Sequence, residues 1–173
     1  MCSHYQALKE REKYLKVFGV EPPPEDGKLD MWTGYLGAFI RKHPNADVGD
    51  DAVPKAEAVN GLFGLVPHWA TDTKITKSTY NCRSETAAQK PSFREAFKRN
   101  QRCIIPVDAF YEPDWRSGRA VPTCIERIDA EPHRNCGSVV QLEGSQGRLG
   151  SQLHHAHHQR GCASFNEPVP QAH

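Results

Sequence analysis

Apolar positions along the chain come in short runs that suit strands more often than helices. Tyr5, Leu8, Leu15 and Phe18 fall roughly on one face of a 3.6-residue repeat, and Gly19 follows as a stop. That pattern predicts a helix from Gln6 to Phe18. Asn60 to Val66, Cys103 to Glu112 and Val121 to Ile128 read as strands, and the second has the β-branched and aromatic content of a buried sheet segment. Ser92 and Glu95 have the spacing of a capping box, so a short helix is expected behind them, with Phe93 and Phe97 on its inner side. Pro22-Pro23-Pro24 and the acidic stretch Ala46 to Pro54 read as loops. Strands outnumber helices without regular βαβ alternation, so the expected fold class is α+β: a single, mostly antiparallel β domain with a few helices.

At 173 residues the chain suits one domain, and 22 Lys+Arg against 21 Asp+Glu leave no net charge to name a partner. The balance conceals unlike parts. Residues 21–57 hold eight acids and four bases. From Lys74 to Arg102 there are eight bases (Lys74, Lys77, Arg83, Lys90, Arg94, Lys98, Arg99, Arg102) against Glu85 and Glu95. Such an excess is either a solvated face or a footprint for a polyanion. No apolar run reaches membrane length and the N-terminus lacks an apolar signal core, so a cytoplasmic protein with reduced thiols is expected. The 41 residues after Pro132 contain no Lys, Asp, Ile, Trp or Tyr, but six of the nine His. Their sparse apolar content predicts a disordered tail over 133–173, beyond a domain over 1–132.

Cys2 carries the most suggestive chemistry. Once Met1 is trimmed, its α-amine (pKa about 7.7–8.0) and thiol (about 8.5) sit on adjacent carbons. Such a 1,2-aminothiol can attack an aldehyde twice, by nitrogen to a Schiff base and by sulfur to close a five-membered ring. Cys2-Ser3-His4 could also be half of a metal site, though no Cys-x-x-Cys completes one. Cys82, Cys103, Cys124, Cys136 and Cys162 show no zinc-ribbon spacing, and buried inert thiols are the expectation for them. His154, His155, His157 and His158 form a low-complexity run of the metal-binding type.

Three segments taken together resemble one family. MCSHYQ opens the chain, FGLVPHWA spans Phe63 to Ala70, and a long stretch from Tyr80 to Trp115 contains YNCRSET and FYEPDW. These are similar to the SRAP family of abasic-site processing proteins, over residues 1 to about 132. The resemblance implies a covalent thiazolidine link between Cys2 and the ring-opened aldehyde of an abasic site in single-stranded DNA, shielding the lesion during repair. It implies that Asn81 positions the sugar or the ring, that Glu112 moves protons, that Arg83 contacts phosphate and that Trp69 can stack a base. It also implies a monomer that needs no metal or organic cofactor, and a peptidase activity limited to removing its own leading Met. Ser3-His4 stands where the family commonly has Gly-Arg.

Past Pro132 the family pattern stops. It expects a Gly-Leu-Trp strand, a Thr-rich strand and a catalytic histidine. Permitted codons for His133 onward, read one base over, yield a string with those features, so a frame-shifted end is expected. On that reading His154, His155, His157, His158 and His173 do not take the family histidine's role, the later strands are missing, and sheet edges in residues 59–128 lie uncovered. Three alternatives remain from the sequence: a non-covalent single-strand DNA-binding module using Arg83, Trp69 and the basic helix, a metal-binding protein built on Cys2, His4 and the His-rich tail, and an inactive truncated remnant.

Overall fold

The computed structural model describes residues 4–143 and 149–157, with side chains over residues 4–140. Nine strands and four short helices are found among them. They run β1 (His4–Ala7), α1 (Glu12–Phe18), β2 (Asp30–Trp32), β3 (Leu36–Lys42) and β4 (Ala56–Phe63). After a 3-10 turn at Thr73–Ile75 come α2 (Thr76–Thr79), β5 (Asn81–Arg83), α3 (Ser84–Ala87), α4 (Arg94–Lys98) and β6 (Arg102–Asp114). The remaining elements are β7 (Val121–Glu126), β8 (His133–Glu143) and β9 (Leu149–His157). The α+β class with a mostly antiparallel sheet is what the structure has; β9 departs from it by running parallel to β4 and β5.

β6 is the spine, and its 13 residues serve two sets of neighbours. Its first half pairs with β3 on one edge and β8 on the other, through Ile104↔Ile40 and Ile104↔Cys136. Its second half pairs with β1 and β7, through Phe110↔Tyr5 and Phe110↔Ile125. Pro106 sits near the changeover, buried, its carbonyl accepting the Leu8 amide at 3.3 Å. Proline has no amide to donate to a ladder, so it is tolerated where one partner strand gives way to another. β6, β3, β4, β9 and β8 pair in sequence and return to β6, closing a ring of five strands.

Alternation fills that ring. Cys103, Ile105 and Val107 of β6 point inward with Tyr5, Met31, Phe39, Phe63 and Val139. Tyr5, Phe39 and Phe63 have no exposed surface, and burial of each such aromatic contributes about 1.5–3 kcal/mol. α1 covers the opposite face of β3 and β4, where Tyr14, Phe18 and Val20 meet Ala38, Ile40 and Ala58. Gly19 ends α1 in a left-handed conformation with its amide on the Leu15 carbonyl at 3.0 Å, as its position predicts. Burial among these groups pushes the Tyr14 hydroxyl up to about 12.

Several expectations are corrected. The helix anticipated from Gln6 begins only at Glu12, because His4–Ala7 is pinned as a strand between β2 and β6. Tertiary pairing overrides the local periodicity there. Leu15 is consequently 57% exposed, not part of the inner face. Ser92 makes no cap: Phe93 holds that position without a side-chain hydrogen bond, and the Phe93 and Arg94 amides close a turn on the Lys90 carbonyl. The tail is corrected most. Residues 133–143 are a strand, not disordered chain, because β6 supplies a backbone ladder that does not depend on apolar side chains. The edges expected to lie open are therefore paired, β6 by β8 and β4 by β9. Residues 158–173 lie outside the described residues.

Candidate functional site

Cys2 lies outside the described residues. His4, the first residue of β1, is surrounded by a group of aromatic and polar side chains. Period-two alternation turns Tyr5 and Met31 inward, so their neighbours His4, Asp30 and Trp32 face out. The His4 imidazole lies between the Trp32 indole (centroids 4.1 Å, 10° between planes) and the Tyr111 ring (4.2 Å, 5°). His4 Nε2 is 2.5 Å from Asp30 Oδ1, while Gln6 Nε2 and Trp32 Nε1 also donate to that carboxylate. These bonds, led by the one to His4, hold the Asp30 carboxyl below the usual carboxylate range. The sequence reading missed Trp32, Tyr111 and Asp30. The only signal for Asp30 and Trp32 was the three-residue alternation Asp30-Met31-Trp32, too short to stand out, whereas Tyr111 lay within the FYEPDW segment without being singled out.

Glu112 follows Tyr111 on β6 and pairs across to Thr123 of β7. It is half-buried, with Oε1 shielded from solvent. It lies two residues beyond Phe110, the residue of β6 that pairs with Tyr5 of β1.

Asn81 is positioned by a second device. Gly64 ends β4 at φ 114°, a conformation that L side chains rarely adopt, and a Cβ there would come within 2.5 Å of Thr76 Cβ. The glycine lets the backbone press against the start of α2. Thr79, buried at the end of α2, donates its hydroxyl to the Leu65 carbonyl at 2.6 Å, and the Leu65 amide donates back to the Thr79 carbonyl. Tyr80 then packs edge-on against Phe63 (6.2 Å), which packs edge-on against Tyr5 (5.2 Å). This row of rings ties the segment before Asn81 to the strand that begins at His4. Asn81 itself is half-buried at the start of β5, in register with His155 of β9.

The two DNA-contact candidates are on the surface. Arg83 is exposed at the end of β5, leading into α3. Trp69 is 50% exposed in the turn closed by the Ala70 amide on the Pro67 carbonyl at 2.9 Å, so it is not a core residue. Thus His4 lies on β1, Glu112 on β6 and Asn81 and Arg83 at the two ends of β5, while Trp69 stands on the turn from Pro67 to Ala70. Of the eight cations from Lys74 to Arg102, Arg102 is only half-exposed. It lies over the Phe97 ring at 4.3 Å and donates to the Ala96 and Phe97 carbonyls, which is structural work. Cys82 and Cys103 are buried, and desolvation pushes the Cys82 thiol up to about 11 and Cys103 higher, so both are inert. Cys124, by contrast, is exposed. Among the described residues no three His, Cys, Asp or Glu side chains gather as a metal site would need, and no helix is long and apolar enough to cross a membrane.

Comparison with known proteins places the chain as a whole. A Bordetella bronchiseptica protein of known crystal structure matches 90% of this chain and 71% of its own, at 40% identity and a TM-score of 0.73. A Bacteroides thetaiotaomicron structure shares the fold at 22% identity and a TM-score of 0.68, over 90% of this chain and 67% of that one. The Bacillus subtilis abasic site processing protein YoqW is 52% identical over 54 residues, 31% of this chain but 23% of that protein. The chicken abasic site processing protein HMCES is 36% identical over 120 residues, 68% of this chain and 34% of the relative. The matched stretches thus span about a quarter to a third of these curated relatives. The profile of the SOS response associated peptidases matches residues 1–154, and the chain belongs to that family, SRAP.

Proposed function

We propose that this protein processes abasic sites in single-stranded DNA by linking itself to them through Cys2. With Met1 removed, the Cys2 α-amine adds to the C1 aldehyde of the ring-opened sugar. Loss of water gives a Schiff base. The thiolate then adds to the imine carbon, and the nitrogen takes up a proton as the thiazolidine closes. Glu112 is the proton carrier for ring opening and dehydration, acting from a half-buried position on β6. Asn81 orients the sugar or the ring. Arg83, exposed at the end of β5, contacts a phosphate, and Trp69, exposed on its turn, stacks a base. The aldehyde is already an electrophile, so no cofactor enters the scheme. Repair of damaged DNA by a cytoplasmic monomer is the setting. The peptidase label refers to loss of the protein's own Met1.

The observation that carries this reading is the family match over residues 1–154, in a chain whose second residue is a cysteine. The sheet register supports it: Cys2 is joined by a single residue to His4, whose ring rests on Tyr111, the neighbour of Glu112. The test incubates the full chain with a single-stranded oligonucleotide bearing one abasic site and resolves the products under denaturing conditions. An SDS-resistant adduct is expected from the wild type and none from Cys2→Ala. An adduct that survives Cys2→Ala, or its absence from a wild-type chain that has lost Met1, overturns the proposal. DNA retention only under native conditions would identify a non-covalent binding module.

A further inference from the structure

We propose that Trp32, backed by His4 and Tyr111, is a stacking platform for a nucleobase flanking the abasic sugar, distinct from Trp69; the inference rests on the abasic-DNA reading above. Three rings in near-parallel order, Tyr111, His4 and Trp32, form a stack whose last member reaches solvent. Trp32 is 44% exposed, a costly position for the largest apolar side chain, yet its orientation is fixed. One indole face lies on His4, and Nε1–H donates to Asp30 Oδ2 at 3.2 Å. The backbone beneath is fixed as well. The Tyr35 amide closes a turn on the Trp32 carbonyl at 3.0 Å, and the Gly34 amide donates to the Phe63 carbonyl at 2.7 Å. A flat π-ligand added to this stack would order almost nothing, so most of the stacking energy would appear as affinity.

Place selects the ligand. His4 is two residues from Cys2, a span of at most about 7 Å of chain, and Tyr111 precedes Glu112. The platform therefore lies within a nucleotide or two of any sugar held at Cys2, where the available π-faces are the neighbouring bases. The Asp30 carboxylate beside the stack is engaged by His4, Gln6 and Trp32, so its charge is directed at these side chains. Trp69 belongs to a different element, the turn from Pro67 to Ala70, so its removal tests a separate contact. Stacking of this kind tolerates any base, which suits a lesion arising in any sequence.

The test uses four single-stranded oligonucleotides with one central abasic site. The flanking nucleotides are normal, or carry a base-less tetrahydrofuran spacer on the 5′ side, the 3′ side or both. The Cys2-linked adduct is read at early times against DNA concentration. In the wild type, loss of the base on one side raises the half-saturating concentration about tenfold, the effect of removing one stacked base. Trp32→Ala should abolish the dependence on that side, Trp32→Phe should retain most of it, and Trp69→Ala should leave it standing. Full dependence on both flanks in Trp32→Ala, or on neither in the wild type, overturns the platform while the adduct itself still stands. Should the wild type form no adduct, fluorescence anisotropy with an unmodified oligonucleotide and an all-spacer backbone decides the matter. A preference for bases that weakens about tenfold in Trp32→Ala supports the platform, and an undiminished preference or none in the wild type refutes it.

Discussion

Gly64 is where backbone geometry and the candidate site meet most closely, and Gly64→Ala is the perturbation that probes it. The residue sits at φ 114°, and a methyl group there would lie 2.5 Å from Thr76 Cβ, 2.8 Å from Thr76 Cα and 2.9 Å from its carbonyl oxygen. Forcing an alanine into this backbone region costs about 1–3 kcal/mol. The overlap adds to that. Optimal carbon–carbon contact is about 3.5–4.0 Å, so α2 must move by about 1 Å, and overpacking of this size costs about 1–3 kcal/mol more. The obstructing atoms are backbone and Cβ, so no rotamer change relieves them. Together these give about 2–6 kcal/mol, which for a chain of this size lowers Tm by about 4–24 °C. Urea unfolding followed by circular dichroism measures it. Because Thr79 ties α2 to Leu65 two residues before Asn81, the same variant should also slow adduct formation at temperatures where it stays folded. A variant within about 0.5 kcal/mol of the wild type would mean that the close approach of Gly64 to Thr76 does not exist in solution.

Two further outcomes follow from groups in the interior. Thr79→Val removes a buried hydroxyl that donates to the Leu65 carbonyl at 2.6 Å, with the Ile75 carbonyl also within reach at 3.0 Å; it should cost about 1–3 kcal/mol in a urea titration, with Thr79→Ser restoring most of it. His133 packs edge-on to Phe110, and its imidazole is held below the ordinary value of 6.5, first by desolvation and then by Arg127, with Asp129 opposing. The unfolded chain therefore takes up this proton first as pH falls, so stability is lost from about pH 6.5 downward, toward the folded value. Thermal melts between about pH 7.5 and 5.5 should show a shallower loss for His133→Phe than for the wild type, and equal slopes would remove His133 from the account.

Much of the fold was legible where a pattern was long or chemically distinct. The CIIPVDAFYE run marked β6 because a strand that packs side chains into the core along most of its length favours β-branched and aromatic residues. Gly19 marked the end of α1 because few other residues take that backbone. The errors share a cause. His4–Ala7 and His133–Glu143 are strands because β6 presents free amides and carbonyls to them, and neither stretch advertises that partner in its own side chains. The site divides the same way. Asn81 and Glu112 belong to motifs readable as a resemblance, whereas the Trp32–His4–Tyr111 stack joins residues about 30 and 80 positions apart on three strands, which no local window contains. Whether the coding DNA shifts frame near His133 is a separate proposal that the nucleotide sequence answers.

The five-strand ring carries a cost in the order of synthesis. Leu62 of β4 finds its partner at Gln152 of β9, some 90 residues later, and β6 finds β8 only after β7 has been made. Until that late segment leaves the ribosome, β4 and the first half of β6 each present an unsatisfied edge, open to any passing extended peptide. Assembly must therefore be slow for the chain's size, and a nascent or interrupted copy would be a good client for a chaperone that shields such edges.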